Sequence, residues 1–227
     1  MSTQVLNVTL PEGTLYVSGT VNGTAETWTN TEGNTWQATA PRAEDDIYHV
    51  ELSIVSSTGS TTTASLTLYY GLVSLITDRT LSDVERVSYL AEKVSAGTAT
   101  EAEQTEWATD LKGAYNASDL NRAGAAVSYV ASRLSGYGYY TDTAPKTDWA
   151  VNDVPTAAQM QRYIHDVAEL RAALDVSAKT PEAPTTANGL TWAEANNIEQ
   201  ILLDVNELLT LMAAAWFFSG DLYAGEV

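Results

Sequence analysis

The chain has 227 residues, a net charge of −18 at pH 7 and no cysteine. The lack of cysteine excludes disulfides and cysteine-bound zinc. The acidic balance argues against nucleic acid and anionic membranes as partners, since both require basic surface. The first residues lack the basic and apolar blocks of a signal peptide, and no apolar run reaches the roughly 18 residues of a membrane helix. We therefore expect no nucleic-acid partner, no membrane insertion and a globular fold.

Residues 1–74 alternate apolar and polar side chains with the period of two that is typical of β-strands. Turn signals such as Asn22-Gly23 and Gly33-Asn34 separate the alternating runs. The pattern predicts six or seven short strands at the spacing of a β-sandwich. The residues predicted to face inward are Leu6, Val8, Leu10, Leu15, Val17, Val21, Tyr48, Val50, Leu52, Ile54, Leu66 and Leu68.

The stretch Asp46-Ile47-Tyr48-His49-Val50 has the spacing of a tyrosine corner, in which the tyrosine hydroxyl bonds to upstream backbone. Together with Gly33-Asn34-Thr35-Trp36 and Thr58-Gly59-Ser60-Thr61-Thr62, this stretch resembles bacterial immunoglobulin-like domains. The resemblance implies that residues 1–74 form an immunoglobulin-like sandwich.

Two features of this half each have two interpretations. Trp28 and Trp36 either belong to the core or to cross-strand pairs, which we favour, or form a platform on which a sugar stacks. The acidic trio Glu44-Asp45-Asp46 either ligates calcium or forms a solvated turn before a strand, which we favour.

From residue 75 onward, apolar residues recur every three or four positions, which indicates amphipathic helices. Capping boxes announce the helix starts, for example Ser82 with Glu85 and Thr100 with Glu103. We predict an all-α bundle over residues 75–227, with helices near 82–95, 101–112, 118–135, 156–174 and 191–217.

The fourth and fifth helices are joined by the proline-containing segment 180–186, which is stiff and extended. They are expected to form a long helical hairpin whose apolar stripe is buried. The alternative is that the stripe forms a seam between subunits.

The change of period falls at residues 72–80, and this segment is apolar rather than rich in glycine and serine. A junction of this kind predicts two modules held at a fixed angle. The residues expected to form this inter-domain seam are Leu72, Val73, Leu75 and Ile76.

No motif for catalysis stands out in the sequence. His165 and Glu169 have a spacing that can hold a metal, but two ligands do not make a site, and a surface pair is the favoured interpretation. There is no nucleophile elbow and no phosphate-binding loop. We therefore expect no catalytic residues, no metal and no cofactor.

Several blocks of the helical half resemble a family of minor structural proteins in phages and prophages of Gram-positive gut bacteria. The resemblance implies a place in the virion, in the tail, baseplate or fibre, with other virion proteins and further copies of the chain as partners. It implies no chemistry. The blocks are Leu75-Ile76-Thr77-Asp78-Arg79-Thr80, Leu111-Lys112-Gly113-Ala114-Tyr115-Asn116, Asp119-Leu120-Asn121-Arg122, Lys146-Thr147-Asp148-Trp149, Ala195-Asn196-Asn197-Ile198-Glu199 and the ending Trp216 to Glu226.

These observations predict a non-enzymatic phage structural protein that assembles through its helical half. The residues expected to drive assembly are Trp216, Phe217, Phe218, Leu222 and Tyr223. The alternative is a module that binds carbohydrate on the host surface. The residues that would then contact glycan are Trp28, Trp36, Tyr137, Tyr139 and Tyr140.

Overall fold

The computed structural model describes residues 2–220, with side chains up to residue 215. An antiparallel β region comes first and helices follow, as predicted. The strands are β1 (Thr3–Thr9), β2 (Thr14–Val21), β3 (Thr24–Thr27), β4 (Thr29–Glu32), β5 (Thr35–Pro41), β6 (Ile47–Ser56) and β7 (Thr61–Tyr69). The helices are α1 (Leu81–Ser95), α2 (Glu101–Trp107), α3 (Ala117–Gly136), α4 (Ala157–Ala172) and α5 (Trp192–Gly220).

The seven strands form two sheets. One has three strands in the order β1-β5-β4, and the other has four in the order β3-β2-β6-β7. Strands β3 and β4 are separated only by Trp28, so the chain passes from one sheet to the other at this residue. The Trp28 side chain is 5% exposed, which places the indole in the core at the point of crossing.

The inward-facing residues of both sheets form one hydrophobic core, as the period of two predicts. Trp36 is 6% exposed and joins this core with Trp28, which confirms the structural interpretation of both tryptophans. Leu15 was expected to point inward but is 68% exposed. The pairing of β2 with β6 shifts between Thr14 and Tyr16, and this irregularity breaks the alternation at Leu15.

The tyrosine corner is present. The Tyr48 side chain is fully buried, and its hydroxyl accepts a hydrogen bond from the Ala43 N–H at 3.1 Å. Its ring meets the Tyr70 ring edge-on, with the centroids 5.5 Å apart. These contacts tie the β5–β6 connection to the start of β6.

Strands β1 and β7 are edge strands, and both are covered by a segment that follows α3 in sequence. The Val151 N–H donates to the Ser65 carbonyl of β7 at 3.1 Å. The Thr9 N–H of β1 donates to the Asp148 carboxylate. Uncovered edges invite unwanted strand pairing, so this segment protects the sandwich.

Packing divides the chain into two compact units. The first holds the residues up to Leu75, Thr80–Ala125 and Lys146–Pro155; the second holds Ile76–Arg79, Ala126–Pro145 and the residues from Thr156. This grouping differs from the ranges 1–74 and 75–227, which stay a prediction.

Capping explains where the helices begin and end. The Thr100–Glu103 box of α2 is confirmed, but α1 is capped by Thr80 with Asp83, two residues before the predicted Ser82. Helix α2 ends at Trp107 rather than near residue 112. The Thr109 side chain and N–H both donate to the Glu106 carbonyl, which closes the last turn.

In the second unit, α4 and α5 pack together, and the predicted apolar stripe of α5 is core. The connector between them is held by Arg171, which donates to the Pro181 carbonyl at 2.6 Å and pairs with Glu182 at 2.6 Å. The buried stripe consists of Ile198, Leu202, Val205 and Leu209.

We expect Tyr48→Phe to lower the free energy of unfolding by about 1–3 kcal/mol, because it leaves the Ala43 N–H without its acceptor. Urea unfolding followed by circular dichroism measures the change. The control is Tyr16→Phe, since Tyr16 is 60% exposed, and it should change stability by less than about 0.5 kcal/mol. Equal effects of the two variants would contradict a structural role for the tyrosine corner.

Candidate functional site

A buried asparagine of α3 fastens an extended segment to the first unit. Asn121 is fully buried, and its Oδ1 accepts from the Trp149 N–H at 2.6 Å. Its Nδ2 donates to the carbonyls of Trp149 and Thr67, at 2.9 and 2.8 Å. The side-chain amide thus pairs with backbone as a neighbouring strand would.

Gly124, one turn after Asn121 on α3, lets the same segment come close to the helix. A Cβ at Gly124 would lie 2.6 Å from the Lys146 carbonyl oxygen, which is too close for any other residue. The Asn121 amide and the missing side chain at Gly124 therefore act together to seat residues 146–149.

Asn196 of α5 repeats this arrangement in the second unit. The Arg79 N–H donates to Asn196 Oδ1 at 3.0 Å, and Asn196 Nδ2 donates to the Arg79 carbonyl at 2.9 Å. One turn later, Glu199 accepts from the Ile76 N–H at 2.6 Å. The segment Ile76–Arg79 is thus held by two side chains of one helix.

A buried ion pair completes the second contact. Arg79 Nη2 lies 2.8 Å from Glu199 Oε1, with side chains 2% and 0% exposed. Arg79 Nη1 also donates to the Ile76 carbonyl at 2.9 Å. Buried ion pairs add little net stability but cost several kcal/mol when one partner is removed, so loss of either Arg79 or Glu199 would destabilise this contact.

The start of α3 carries a second buried pair. Arg122 donates to Asp119, and Asp119 also accepts from the Asn116 N–H at 2.8 Å and from the Asn116 side-chain amide at 3.0 Å. Asp119 therefore orders the first turn of the helix. Burial raises the pKa of Tyr69 in the same unit, with Arg122 acting in the opposite direction.

The first unit contains a cleft of about 280 Å³ at this helix start. Its wall is mixed, with carboxylate, amide, hydroxyl and apolar groups. The residues that line it include Thr67, Asp110, Tyr115, Asn116, Ser118, Trp149, Val151, Asp153 and Pro155.

The structure separates the residues predicted to contact glycan. Trp28 and Trp36 are buried, so neither ring offers a face on which a sugar could stack. Tyr137 is half-buried, whereas Tyr139 and Tyr140, after α3, are 38% and 85% exposed. Of the residues predicted to contact glycan, only Tyr139 and Tyr140 are exposed enough to meet a ligand.

The acidic trio forms a turn. Asp46 pairs with Arg42 at 2.8 Å, and Asp45 accepts from the Ile47 N–H at 3.1 Å. His165 lies 3.6 Å from Asp142. Within residues 2–220, no group of three or more potential ligands is placed to hold a metal ion.

The remaining predicted residues are placed as follows. Leu72, Val73, Leu75 and Ile76 are all half-buried; Ile76 belongs to the second unit and the other three to the first. The side chains of Trp216, Phe217 and Phe218, and all of Leu222 and Tyr223, lie outside the described residues.

Sequence reasoning did not find the cleft. Its residues come from β7, the loop before α3, the start of α3 and residues 149–155, which are far apart in the chain. The blocks around Asn116 and Trp149 were singled out only by resemblance, and nothing in their spacing shows that they meet.

Comparison of the chain with protein-family models, curated proteins and solved structures found no match. None of the helices, as far as the chain is described, combines the length and apolar character needed to cross a membrane.

We expect Asn196→Ala to lower the free energy of unfolding by about 2–4 kcal/mol, because the buried Arg79 backbone loses both of its partners. Asn197 is the matched control, since its side chain makes no hydrogen bond within residues 2–220. Asn197→Ala should be neutral or slightly stabilising, because alanine favours helix. Chemical unfolding of both variants measures the difference. A similar loss of stability in both would contradict the role of Asn196 in holding the segment that contains Arg79.

Proposed function

We propose that this chain is a non-enzymatic structural protein of a bacteriophage particle, in the tail, baseplate or fibre. In this proposal the helical half assembles with other virion proteins and with further copies of the chain. The protein is made in the bacterial cytoplasm and ends in the virion.

This proposal rests on the roles of residues in the sequence blocks that resemble the phage structural proteins. Asn121, Arg79, Asn196 and Glu199 all lie within them, and each is committed to hydrogen bonds that fasten backbone segments. Side chains committed in this way hold a shape and are not free to act on a substrate. Residues committed in this way are what a building part requires.

The strand order supports an immunoglobulin-like sandwich for the β region. If β3 and β4 are taken as the two parts of one strand that changes sheets, β3 corresponds to strand C′ and β4 to strand D of the immunoglobulin plan. The orders β1-β5-β4 and β3-β2-β6-β7 then correspond to B-E-D and C′-C-F-G. Tyr48 then lies at the start of strand F, where the tyrosine corner of that plan is found.

The end of α5 supports self-association. The last fully buried residue described on this helix is Leu209, and the helix continues to Gly220. Leu211 is 60% exposed and precedes the apolar ending that contains Trp216 and Phe217. We propose that this end of the helix packs against a second copy, which is the common way to cover an apolar helix end in a symmetric assembly.

Carbohydrate binding at the host surface is the second candidate function. The exposure of Tyr139 and Tyr140 favours it, since stacked tyrosines are a common sugar contact. A glycan array probed with the intact protein and with Tyr140→Ala tests this candidate; binding that survives the substitution would place any sugar contact elsewhere.

The particle itself tests the principal proposal. Phage particles purified from an induced culture should contain this chain, and antibody labelling should mark the tail. Peptides found in the lysate but absent from purified particles would overturn it.

We expect Leu211→Asp to weaken self-association by at least about tenfold, because it places a charge where an apolar contact forms. Sedimentation velocity over a concentration series measures this change. The matched control is Leu81→Asp, on a leucine that is 57% exposed at the start of α1. A wild-type protein that stays monomeric at high concentration, or equal effects of the two variants, would contradict assembly through α5.

A further inference from the structure

The first half of β7 is a sheet edge whose outward backbone groups are free. The carbonyls of Ser65 and Thr67 point away from β6, since both accept hydrogen bonds from later segments of the chain. The pairing of β7 with β6 is antiparallel and keeps its register, so the N–H and carbonyl of every second residue face the same way. Those of Thr61 and Thr63 therefore point outward too. Both residues are exposed, and no hydrogen bond within residues 2–220 reaches these outward groups.

The other three edges of the two sheets are guarded. On β1, the side chains of Tyr70 and Asp148 bond to the outward backbone groups. Strands β3 and β4 carry one glutamate each, Glu26 and Glu32, and the pairing of β4 is also irregular. Charges, bulges and covering groups are the usual means by which proteins prevent strand pairing at an edge. Among the described residues, the start of β7 has none of these, because the segment that covers β7 reaches only as far as Ser65.

This edge is also neutral in a strongly acidic chain. The net charge is −18, yet residues 52–77 contain no charged side chain. Three carboxylates lie near the edge, and each has a local partner. Glu51 accepts from a hydroxyl of β7 at 2.6 Å, and Asp148 and Asp153 lie beside Lys146. Two copies of an acidic chain repel each other, so contact between them is least opposed where both are neutral.

Apolar side chains lie beside the free edge. Val151 is 69% exposed, and its N–H holds it next to β7. Val55 lies opposite Thr61 in the register, and Tyr16, which is 60% exposed, lies opposite Val55. Hydrogen bonds alone add little net free energy, so apolar surface of this kind is needed for a stable contact.

We propose that the start of β7 pairs with the start of β7 in a second copy of the chain. Two identical strands that meet antiparallel across a two-fold axis are self-complementary, since each donor finds the same acceptor on the partner. With the two Thr63 residues opposite each other, each Thr63 N–H donates to the carbonyl of the partner's Thr63. The four-stranded sheets of the two copies then join into one continuous sheet.

This contact is distinct from the one proposed at the end of α5. Strand β7 belongs to the first unit, whereas the end of α5 belongs to the second. Pairing at β7 requires neither the α5 contact nor a virion location, so each proposal can fail while the others hold. The Leu211→Asp variant, in which the α5 contact is weakened, isolates the contact at β7.

Sedimentation velocity of the full chain over a concentration series tests the proposal. The Leu211→Asp variant should still form a dimer. Adding Thr63→Pro should weaken this dimer by at least about tenfold, because it removes one N–H donor from each copy. Proline is tolerated on an edge strand where its nitrogen faces outward, so β7 itself should persist. High salt should strengthen the dimer, because it screens the repulsion between two acidic chains.

A second variant keeps the backbone donor. Thr63→Glu should weaken the dimer by at least about fivefold, because it sets two like charges opposite each other. The matched control is Thr27→Glu, which adds the same charge at an exposed position on β3, the other edge of the same sheet. This control should leave the dimer almost unchanged. Circular dichroism establishes that each variant is folded.

Hydrogen exchange followed by mass spectrometry reports on the edge directly. In the Leu211→Asp variant, the peptide that contains Thr63 should exchange more slowly as the protein concentration rises. Thr63→Glu should remove this protection. If the wild type and Leu211→Asp form the same dimer and Thr63→Pro abolishes it, the β7 contact holds and the α5 contact fails.

Four outcomes would overturn the proposal. The first is that Leu211→Asp is a monomer at high concentration. The second is that Thr63→Glu and Thr27→Glu weaken the dimer equally. The third is a dimer in which exchange near Thr63 does not depend on concentration. The fourth is a dimer that weakens at high salt, which would mean that charge pairs hold it rather than a neutral edge.

Discussion

A side-chain amide presents the same donor and acceptor as a peptide group, and the rest of this structure depends on that equivalence. Asn121 uses it to pair with Trp149, and Asn196 uses it to pair with Arg79. In each case a helix holds an irregular segment that has no strand of its own to pair with. The segment around Trp149 in turn covers the edges of β1 and β7 through Asp148 and Val151.

Asn121 and Asn196 act as polar clamps, by which we mean buried side chains that hold a backbone segment through hydrogen bonds. Such clamps are costly in free energy unless every polar group is paired. An apolar core could hold the same segments with less risk, because an unpaired buried amide or ion costs several kcal/mol. What the clamps supply is a single register, since a hydrogen bond requires particular atoms whereas apolar contact tolerates sliding. Arg79 and Glu199 extend this principle to a buried ion pair. A protein with the structural role proposed here would benefit from such uniqueness, because it would have to fit its neighbours repeatedly.

The clamps and the cleft divide the polar residues of the chain by purpose. The Asn121 amide pairs with the backbone of Trp149 and Thr67, and the Glu199 carboxylate pairs with the Ile76 N–H and the Arg79 guanidinium, which suits a structural role. Ser118, only three residues before Asn121, lines the cleft.

Local pattern by itself determined much of the architecture. The period-two alternation predicted the inward-facing residues of the strands, and the spacing around Tyr48 predicted the tyrosine corner. Thr100 and Glu103 predicted the start of α2. Each of these features depends on neighbours within a few residues. Two predictions from local pattern were wrong. Ser82 was predicted to cap α1, but Thr80 does so. Leu15 was predicted to face inward, but the register shifts at this position.

Only the tertiary structure decided which distant segments meet. The partnership of Asn196 with Arg79 spans 117 positions of sequence, and nothing in either segment specifies the other. The cleft likewise exists only because β7, the start of α3 and the segment near Trp149 converge. Sequence by itself determined most of the elements and the Thr100 cap, which rest on local backbone and side-chain energetics. The clamps and the cleft required the folded chain, because they are made of contacts between residues that sequence spacing does not relate.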